Sequence, residues 1–458
     1  MSKYLYGASV QGIQDFIFKT NKLKEIIGAS EIIKDIDKIK FKEKYSLKQE
    51  PRIILQAAGN IRIVFKNKTD LDIVVKNLPK DIMLNAYGIT ISQAVVKLNN
   101  YKVDSKELEK KLKIQRNKVT FPLDFHFNIL KQNSKTAKPS VKKIKIINKK
   151  DEYEYLDKAT LQKTKACPKD EENKELKDIS NNNNKIAIIH ADGNGLGNIV
   201  KTLDENQIVE FSKKLETATN EAYEIASKDI AKIRKVILGG DDLTIICNAN
   251  DALIFTKKFL DAFEEKTKNI HDNKSLTACA GITYCNEKYP FHYAVKLAEE
   301  LCSFAKKDSK AINKDLPPSS LIFHNIKSSN VESFSKFIED ELTIKDVRLD
   351  FGPYYLKEQD KKVSIESLNK ILIDFRKENA PRGRLREWLS DLEFDSTYAQ
   401  NQLERINEIT KWDSSMLQNL YEGLKIDNLI VQKEGLEKTP IYDILQILSV
   451  EDEKEDEK

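Results

Sequence analysis

Apolar and polar positions in the second half of the chain follow the order of an α+β domain. Residues 185–191 form a short apolar run after the asparagines at 181–184 and predict a buried strand. Apolar residues at helical spacing over 203–233 predict a helix, and residues 235–249 have the pattern of a hairpin with a Gly-Gly-Asp-Asp tip. The remaining predicted elements are a helix over 252–268, a strand from Ser275, a helix from Pro290 and a strand ending near Ile326.

The first half of the chain repeats this plan in outline. Its predicted elements are a strand over 3–10, a helix from Gln14 to about Lys38, a hairpin over 52–65, a helix near 70–80 and a strand over 86–98. We therefore predict two similarly built domains.

Acidic residues distinguish the two copies. The second hairpin has Gly239-Gly240-Asp241-Asp242 where the first has Ala57-Ala58-Gly59-Asn60, and the strand that ends in Asp192 corresponds to one that ends in Ala8 and Ser9. A purely structural need for carboxylates at these points would place them in both copies. The difference indicates that the acids of the second copy have a chemical role.

Three aspartates at these positions predict a metal site. Paired strands lie about 4.8 Å apart, so Asp192 at a strand end and Asp241 and Asp242 on the neighbouring hairpin can converge. Carboxylates this close repel one another, and oxygen ligands favour Mg²⁺ or Mn²⁺. Two such ions would clamp the attacking and leaving oxygens of a phosphoryl transfer. We therefore predict that Asp192, Asp241 and Asp242 are both metal ligands and catalytic residues.

Glycines and lysines near these acids are predicted to bind a nucleotide. Gly239 and Gly240 permit a tight turn and the close approach of a ligand. The loop after the strand opens a helix and can point backbone N–H groups at phosphates; it comprises Gly193, Asn194, Gly195, Leu196 and Gly197. Lys306 and Lys310 are candidates to neutralise phosphate charge, although a solvated helix end explains them equally well.

Composition limits the class of protein. The 458 residues carry a formal net charge of +5 and are 33% charged, which fits about two to four domains and a mildly basic chain. Five cysteines with no C-x-x-C pair argue against a disulfide framework and against zinc, so no zinc is expected. The N-terminus has no signal-peptide pattern and no long apolar stretch occurs, which predicts a cytoplasmic protein without a membrane span.

The other segments complete the predicted domain organisation. Helical periodicity beyond Asn330 predicts a helical bundle, and the acidic end "EDEKEDEK" predicts a solvated tail. The basic stretch 135–150 has no interleaved aromatic residues, so a surface hairpin is favoured over an RNA-binding segment. The predicted divisions are a first domain without metal-binding acids at 1–133, a linker or insert at 134–180, the Gly-Gly-Asp-Asp domain at 181–328, a helical domain at 329–450 and the tail at 451–458.

Several motifs resemble those of a known family. "HADGNGLG", "LGGDDLTI", "LTACAGI" and "ELCSFAKK" are similar to the second palm domain of the large polymerase/cyclase subunit of type III CRISPR effector complexes. "GIQDFIFKTNKLKEIIGAS" resembles the first palm of the Cmr-type branch, and "FGPYYLKE" resembles the C-terminal region. The resemblance implies two ferredoxin-like, nucleotidyl cyclase-like palms plus a C-terminal helical bundle, with Asp192 and Asp242 as principal metal ligands and Asp241 assisting. The only His-Asp pair, His271-Asp272, lies in a predicted polar loop, so an HD nuclease domain is not expected.

The same resemblance implies a function. ATP would be converted to a cyclic oligoadenylate second messenger for antiviral defence, with Mg²⁺ or Mn²⁺ as cofactor and pyrophosphate released. Guide RNA and effector subunits are the expected partners, and formation of a homo-oligomer is left open. Two alternatives remain at this point: an RNA-binding assembly subunit whose palms serve as scaffold, and a stand-alone cyclic-dinucleotide synthase.

Overall fold

The computed structural model describes residues 3–118, 129–145, 152–327, 333–360, 362–393, 401, 414–426, 428–433 and 435–452. The chain divides into two units. The first contains Met1–Glu175 and Gly197–Glu216, and the second contains Leu176–Leu196 and Thr217–Lys458. Within the described part of the chain, no helix is both long and apolar enough to cross a membrane.

An antiparallel sheet in the order β2-β3-β1-β4 forms the centre of the first unit. Its strands are β1 (Lys3–Gln11), β2 (Arg52–Ala57), β3 (Asn60–Phe65) and β4 (Thr90–Leu98). Consecutive residues from Leu5 to Val10 are all buried. A strand covered on both faces belongs inside a sheet, and β1 accordingly pairs with β3 on one side and β4 on the other.

Five helices accompany this sheet. They are α1 (Ile13–Phe18), α2 (Leu23–Asp37), α3 (Phe41–Tyr45), α4 (Lys68–Asn85) and α5 (Tyr101–Arg116). The single helix predicted from Gln14 to about Lys38 is therefore wrong. Thr20 explains the break, because its hydroxyl accepts a hydrogen bond from the Lys22 N–H and donates one to Glu25, which offers the chain a local alternative to the helix.

The segment after the first sheet contains β5 (Ser140–Lys145), β6 (Tyr153–Asp157), α6 (Lys158–Ala166) and the short α7 (Leu176–Ile179). Helix α6 packs closely on α2. A Cβ atom at Gly28 would lie 1.8 Å from the Lys163 carbonyl oxygen, so only glycine permits this approach.

The second unit contains a six-stranded sheet in the order β14-β11-β10-β7-β9-β8. Its strands are β7 (Lys185–Gly193), β8 (Ile233–Gly239), β9 (Asp242–Asn248), β10 (Ala278–Asn286), β11 (Ser320–Asn325) and β14 (Tyr354–Tyr355). The three predicted strands and the hairpin are all present, and the hairpin strand β9 pairs with β7 as the sequence indicated.

Four helices lie between β7 and β11 in the chain: α8 (Leu196–Thr202), α9 (Glu205–Ser227), α10 (Ala252–Thr267) and α11 (Phe291–Ile312). Most of α8 and the first part of α9 fall within Gly197–Glu216, which belongs to the first unit. The apolar stripe of α11 packs on β10, where a Cβ atom at Gly281 would lie 2.1 Å from the Ala298 carbonyl oxygen. The sheet and the helix can therefore approach closely enough for the basic end of α11 to reach the end of β7.

The C-terminal region contains helices α12 (Phe334–Glu341), α13 (Ile365–Phe375), α14 (Arg382–Asp391), α15 (Ser414–Leu424) and α16 (Ile441–Leu448). It also has a small sheet in the order β12-β13-β16-β15, formed by β12 (Thr343–Ile344), β13 (Val347–Arg348), β15 (Val431–Lys433) and β16 (Leu436–Lys438). Strands of two or three residues are too short to produce an alternating pattern, so the sequence predicted helices alone. Part of the predicted helical bundle, residues 394–400 and 402–413, and most of the acidic tail lie outside the described residues.

Candidate functional site

Asp192 lies at the end of the buried strand β7. Residues 186–191 of this strand are buried, and their pairing with β9 runs as far as Ala191 opposite Leu243. On the other side, Asp192 is opposite Cys279 of β10. The apolar residues of β7 fix the strand in the core, so the Asp192 carboxylate stands where the sheet ends, beside the start of β9 at Asp242.

The β8–β9 hairpin turns at Gly240 and Asp241, since Gly239 pairs with Asp242. Gly240 has a φ angle of 63°, in the left-handed region that favours glycine. The Thr219 hydroxyl of α9 donates a 2.7 Å hydrogen bond to the Gly240 carbonyl. Helix α9 therefore holds the turn that presents both hairpin aspartates.

The three aspartates interact strongly. Burial, then the charges of Asp192 and Asp242, raise the pKa of Asp241 well above its usual range, and the Asp241 carboxyl hydrogen-bonds to that of Asp192. Burial and the charge of Asp192 raise the pKa of Asp242 to about 6. Acids held in this way destabilise one another when ionised, which is typical of a functional site.

Lys306 is the cation of the cluster. It lies on α11, and its ammonium group forms an ion pair with the Asp192 carboxylate and donates a 2.8 Å hydrogen bond to the Gly193 carbonyl. One lysine thus faces three carboxyl groups, so acidic groups outnumber cations in the cluster. The site can therefore accept further positive charge.

The donor chemistry of the cluster fits a hard divalent cation. Asp192, Asp241 and Asp242 offer only oxygen atoms, the ligands that Mg²⁺ and Mn²⁺ prefer. Within the residues that the structure describes, no three acidic, histidine or cysteine side chains are already arranged as a ligand set. The Lys306 ammonium group contacts Asp192 Oδ2, one of the oxygens that a cation would take.

In the loop after β7, two of the side chains predicted to bind a nucleotide are buried. The Asn194 amide is buried and donates to Thr277 Oγ1 at 3.1 Å, to Cys279 Sγ at 3.4 Å and to the Pro317 carbonyl at 3.4 Å. Leu196 is also buried, against Gly193. The Asn194 backbone N–H donates to the Thr277 carbonyl at 2.8 Å, so neither the side-chain amide nor the N–H of Asn194 points at a ligand site.

Other predicted ligand-binding positions are open. A Cβ atom added at Gly239 or Gly240 would meet no atom within 4 Å, and neither would one added at Gly197. Lys310 is exposed on α11, four residues after Lys306 and hence on the same helix face.

The first unit contains a counterpart of this arrangement in which uncharged Ser9 and Asn60 stand in place of the carboxylates. Ser9 of β1 pairs with Asn60 of β3, and the Ser9 hydroxyl donates a 3.0 Å hydrogen bond to the Asn60 side chain. Arg116 donates a 3.1 Å hydrogen bond to Ser9 Oγ. Arg116 is the sixteenth residue of α5, as Lys306 is of α11. No helix was predicted after β4. A search of the first copy for the equivalent of α11 would have found α5 and Arg116.

His190 has a structural role in β7. It is buried, its Nδ1 lies 3.1 Å from Thr244 Oγ1, and burial lowers its pKa to about 4. The imidazole is therefore neutral at physiological pH and part of the sheet packing.

One segment of the chain matches a known domain family. Residues 185–315 match the family described as "Cas10/Cmr2, second palm domain". This segment is similar to a Cas10/Cmr2 second palm. The match includes the aspartate cluster and Lys306, and no protein of curated function matches the chain.

Solved structures share the tandem-palm fold. A chain of the Csm1–Csm4 cassette in complex with AMPPNP is 15% identical, with 97% of this chain and 69% of that chain covered and a TM-score of 0.55. Csm1 in T. onnurineus is 13% identical, with 98% and 69% covered and a TM-score of 0.55. The cassette in complex with cA3 gives 15% identity, coverage of 98% and 69% and a TM-score of 0.52. The predicted α+β fold with two palms is confirmed.

Proposed function

We propose that the second palm is the catalytic domain of a metal-dependent nucleotidyltransferase that converts ATP to a cyclic oligoadenylate. The observation that carries this proposal is the convergence of Asp192, Asp241 and Asp242 beside Lys306. Structures of similar fold were solved with AMPPNP and with cA3, which supports an adenine nucleotide as substrate and product.

The residues have separate tasks in the proposed reaction. Asp192, Asp241 and Asp242 would hold Mg²⁺ or Mn²⁺, which when bound stabilises charge on phosphate oxygens. Lys306 would exchange part of its contact with Asp192 for a phosphate oxygen. The open backbone at Gly239 and Gly240 lets a nucleotide approach the turn closely.

The proposed chemistry is an in-line displacement. The 3′-hydroxyl oxygen of one nucleotide forms a bond to the α-phosphorus of another, the bond from that phosphorus to the β-phosphate bridging oxygen breaks, and pyrophosphate leaves. The hydroxyl proton passes to water or to a basic group. The last such step, within one chain of linked nucleotides, closes the ring.

The direct test is product analysis. The purified chain would be incubated with Mn²⁺ and each of the four nucleotides, with and without target RNA, and products identified by mass. We expect pyrophosphate and a cyclic adenylate from ATP, and loss of both in Asp241→Ala/Asp242→Ala. Asp229→Ala/Asp261→Ala removes two exposed carboxylates of the same unit and should retain full activity.

The outcome separates the alternatives. A cyclic dinucleotide made without RNA would favour a stand-alone synthase. An ATP-inert protein that co-purifies with RNA of defined length would favour an assembly subunit. Unchanged yield in Asp241→Ala/Asp242→Ala would contradict the assignment of the site.

We further propose that the chain assembles with another effector subunit, because the similar structures include Csm1–Csm4 cassettes. Affinity purification of the tagged chain from its native cell, followed by mass spectrometry, tests this. Recovery of a stoichiometric CRISPR subunit is expected, and recovery of the chain alone would contradict it.

A further inference from the structure

The two-stranded sheet β5–β6 of the first unit has two chemically different faces. The strands are antiparallel, with Lys143 opposite Tyr155 and Lys145 opposite Tyr153. Residues opposite each other in an antiparallel pair point to the same face, and the next residue along the strand points to the other. Lysines and tyrosines therefore share one face.

This lysine–tyrosine face comprises Lys131, Lys143, Lys145, Tyr153 and Tyr155. The Lys143 ammonium lies 3.7 Å from the centre of the Tyr153 ring and 6.0 Å from that of Tyr155. The Lys131 ammonium lies 5.4 Å from the centre of the Tyr155 ring. Cations and aromatic rings thus alternate across the face, and Tyr153 is 43% exposed.

The opposite face accounts for how the hairpin is held. Leu156 is buried there, and Glu154 forms an ion pair with Lys22 at 2.6 Å. Asp157 at the end of β6 lies on the side of Tyr155, where it is buried and accepts a hydrogen bond of 2.8 Å from the Asn133 side chain. Glu154 and Asp157 thus serve anchoring, whereas Lys131, Lys143, Lys145 and Tyr153 are exposed and Tyr155 is half-buried.

We propose that the lysine–tyrosine face binds single-stranded nucleic acid. Proteins that bind single strands without sequence preference combine basic groups along the backbone with aromatic rings on which unpaired bases stack. Lys131, Lys143 and Lys145 supply positive charge for phosphates, and the exposed Tyr153 ring supplies a platform for a base. The basic stretch lacks aromatic residues in sequence, and only the pairing with β6 brings them to it.

An acidic protein partner is the less favoured occupant. Lysines alone would attract acidic peptides and nucleic acids equally. Tyrosine rings between the lysines favour nucleic acid, because phosphates and bases alternate along a single strand. Stacking on Tyr153 contacts the face of a base and not its hydrogen-bonding edges, so we expect little sequence preference. The proposal does not depend on catalysis by the second palm.

Binding of fluorescent oligouridine and oligothymidine of about 12 nucleotides to the full chain, measured by anisotropy, tests the proposal. Tyr153→Ala should weaken binding about fivefold to a hundredfold, because it removes a stacking platform, whereas Tyr153→Phe should bind like the wild type. Lys143→Gln/Lys145→Gln should reduce the slope of log K against log salt by about 1.4, since each phosphate contact contributes about 0.7.

Lys142 provides the matched control, since it is exposed on the same strand but is opposite Leu156 on the other face. Lys142→Gln should leave binding unchanged. Equal losses in Lys142→Gln and Lys143→Gln would overturn the proposal, as would wild-type affinity in Tyr153→Ala or equally tight binding of polyglutamate.

Two further measurements keep the result interpretable. Circular dichroism and the melting temperature report whether each variant is folded. Photocrosslinking of the wild-type chain to 4-thiouridine RNA requires no variant, and crosslinked peptides should contain Lys145 or Tyr153. Crosslinks confined to other segments would overturn the proposal. A difference between the RNA and DNA arms identifies the strand that the face prefers.

Discussion

The ammonium group of Lys306 bridges the Asp192 carboxylate and the Gly193 carbonyl at the end of β7. In the first unit, the guanidinium group of Arg116 contacts Ser9, the residue in the corresponding place. The same helix position thus supplies a cation in both units, while only the second unit supplies carboxylates. We infer from this contrast that the cation is a feature of the repeated fold, whereas Asp192, Asp241 and Asp242 serve the proposed reaction.

Loss of the Lys306 cation should impair catalysis more than folding. We expect Lys306→Gln to lower kcat/KM for ATP about tenfold or more, because a charge-assisted hydrogen bond contributes about 1.5–3 kcal/mol. Lys307→Gln removes a neighbouring exposed charge and should have little effect. Steady-state kinetics of pyrophosphate release measure both. A rise in kcat/KM would indicate instead that Lys306 competes with the cation for Asp192.

Gly193 is required by packing at the site. A Cβ atom there would lie 2.4 Å from Leu196 Cδ1, 2.9 Å from Asp241 Cβ and 3.0 Å from Asp241 Oδ2. We therefore expect Gly193→Ala to displace Asp241 and reduce activity by about tenfold or more, as misplacement of a catalytic group does.

The control for Gly193→Ala is Gly383→Ala in α14, where an added Cβ meets no atom within 4 Å. This variant should be neutral or slightly more stable, because alanine favours helix. Activity assays and melting temperatures distinguish the two. Full activity of Gly193→Ala would contradict the position of Asp241.

Ionisation of Asp242 should destabilise the protein when divalent cations are chelated. Burial raises the Asp242 pKa from 3.8 to about 6, so the folded state keeps a proton that the unfolded state releases. Stability therefore falls as the pH rises from about 4 to about 6 and then levels off. At neutral pH, Asp242→Asn should be more stable than the wild type by at most about 3 kcal/mol.

Melting temperatures across this pH range, with EDTA present, measure the effect. The difference between Asp242→Asn and wild type should be absent at low pH and grow as Asp242 ionises. Adding Mg²⁺ should stabilise the wild type more than the variant. A difference that does not vary with pH would contradict the raised pKa of Asp242.

The Thr219 hydroxyl should matter for the hairpin turn. Thr219→Val keeps the shape of the buried side chain but removes the donor to the Gly240 carbonyl, which costs about 0.5–1.5 kcal/mol of stability. We expect a lower melting temperature and a severalfold fall in kcat, and recovery of both in Thr219→Ser. Equal activity of Thr219→Val and wild type would show that α9 does not position the turn.

The sequence by itself determined the pattern of the second palm and its candidate acids. The apolar run of β7, the Gly-Gly-Asp-Asp tip and the stripe of α11 are local signals, so their elements follow from periodicity and turn chemistry. The internal repeat also marked Asp192, Asp241 and Asp242 as residues that the scaffold itself does not need.

Only the tertiary structure decided which side chains meet. Periodicity cannot show that Asn194 points into the core, because its partners Thr277 and Pro317 are far along the chain. It cannot place Arg116 on Ser9, or set Tyr153 and Tyr155 among the lysines of β5. Strand pairing and helix packing create these contacts between distant residues, and charge and burial at the aspartates arise from them.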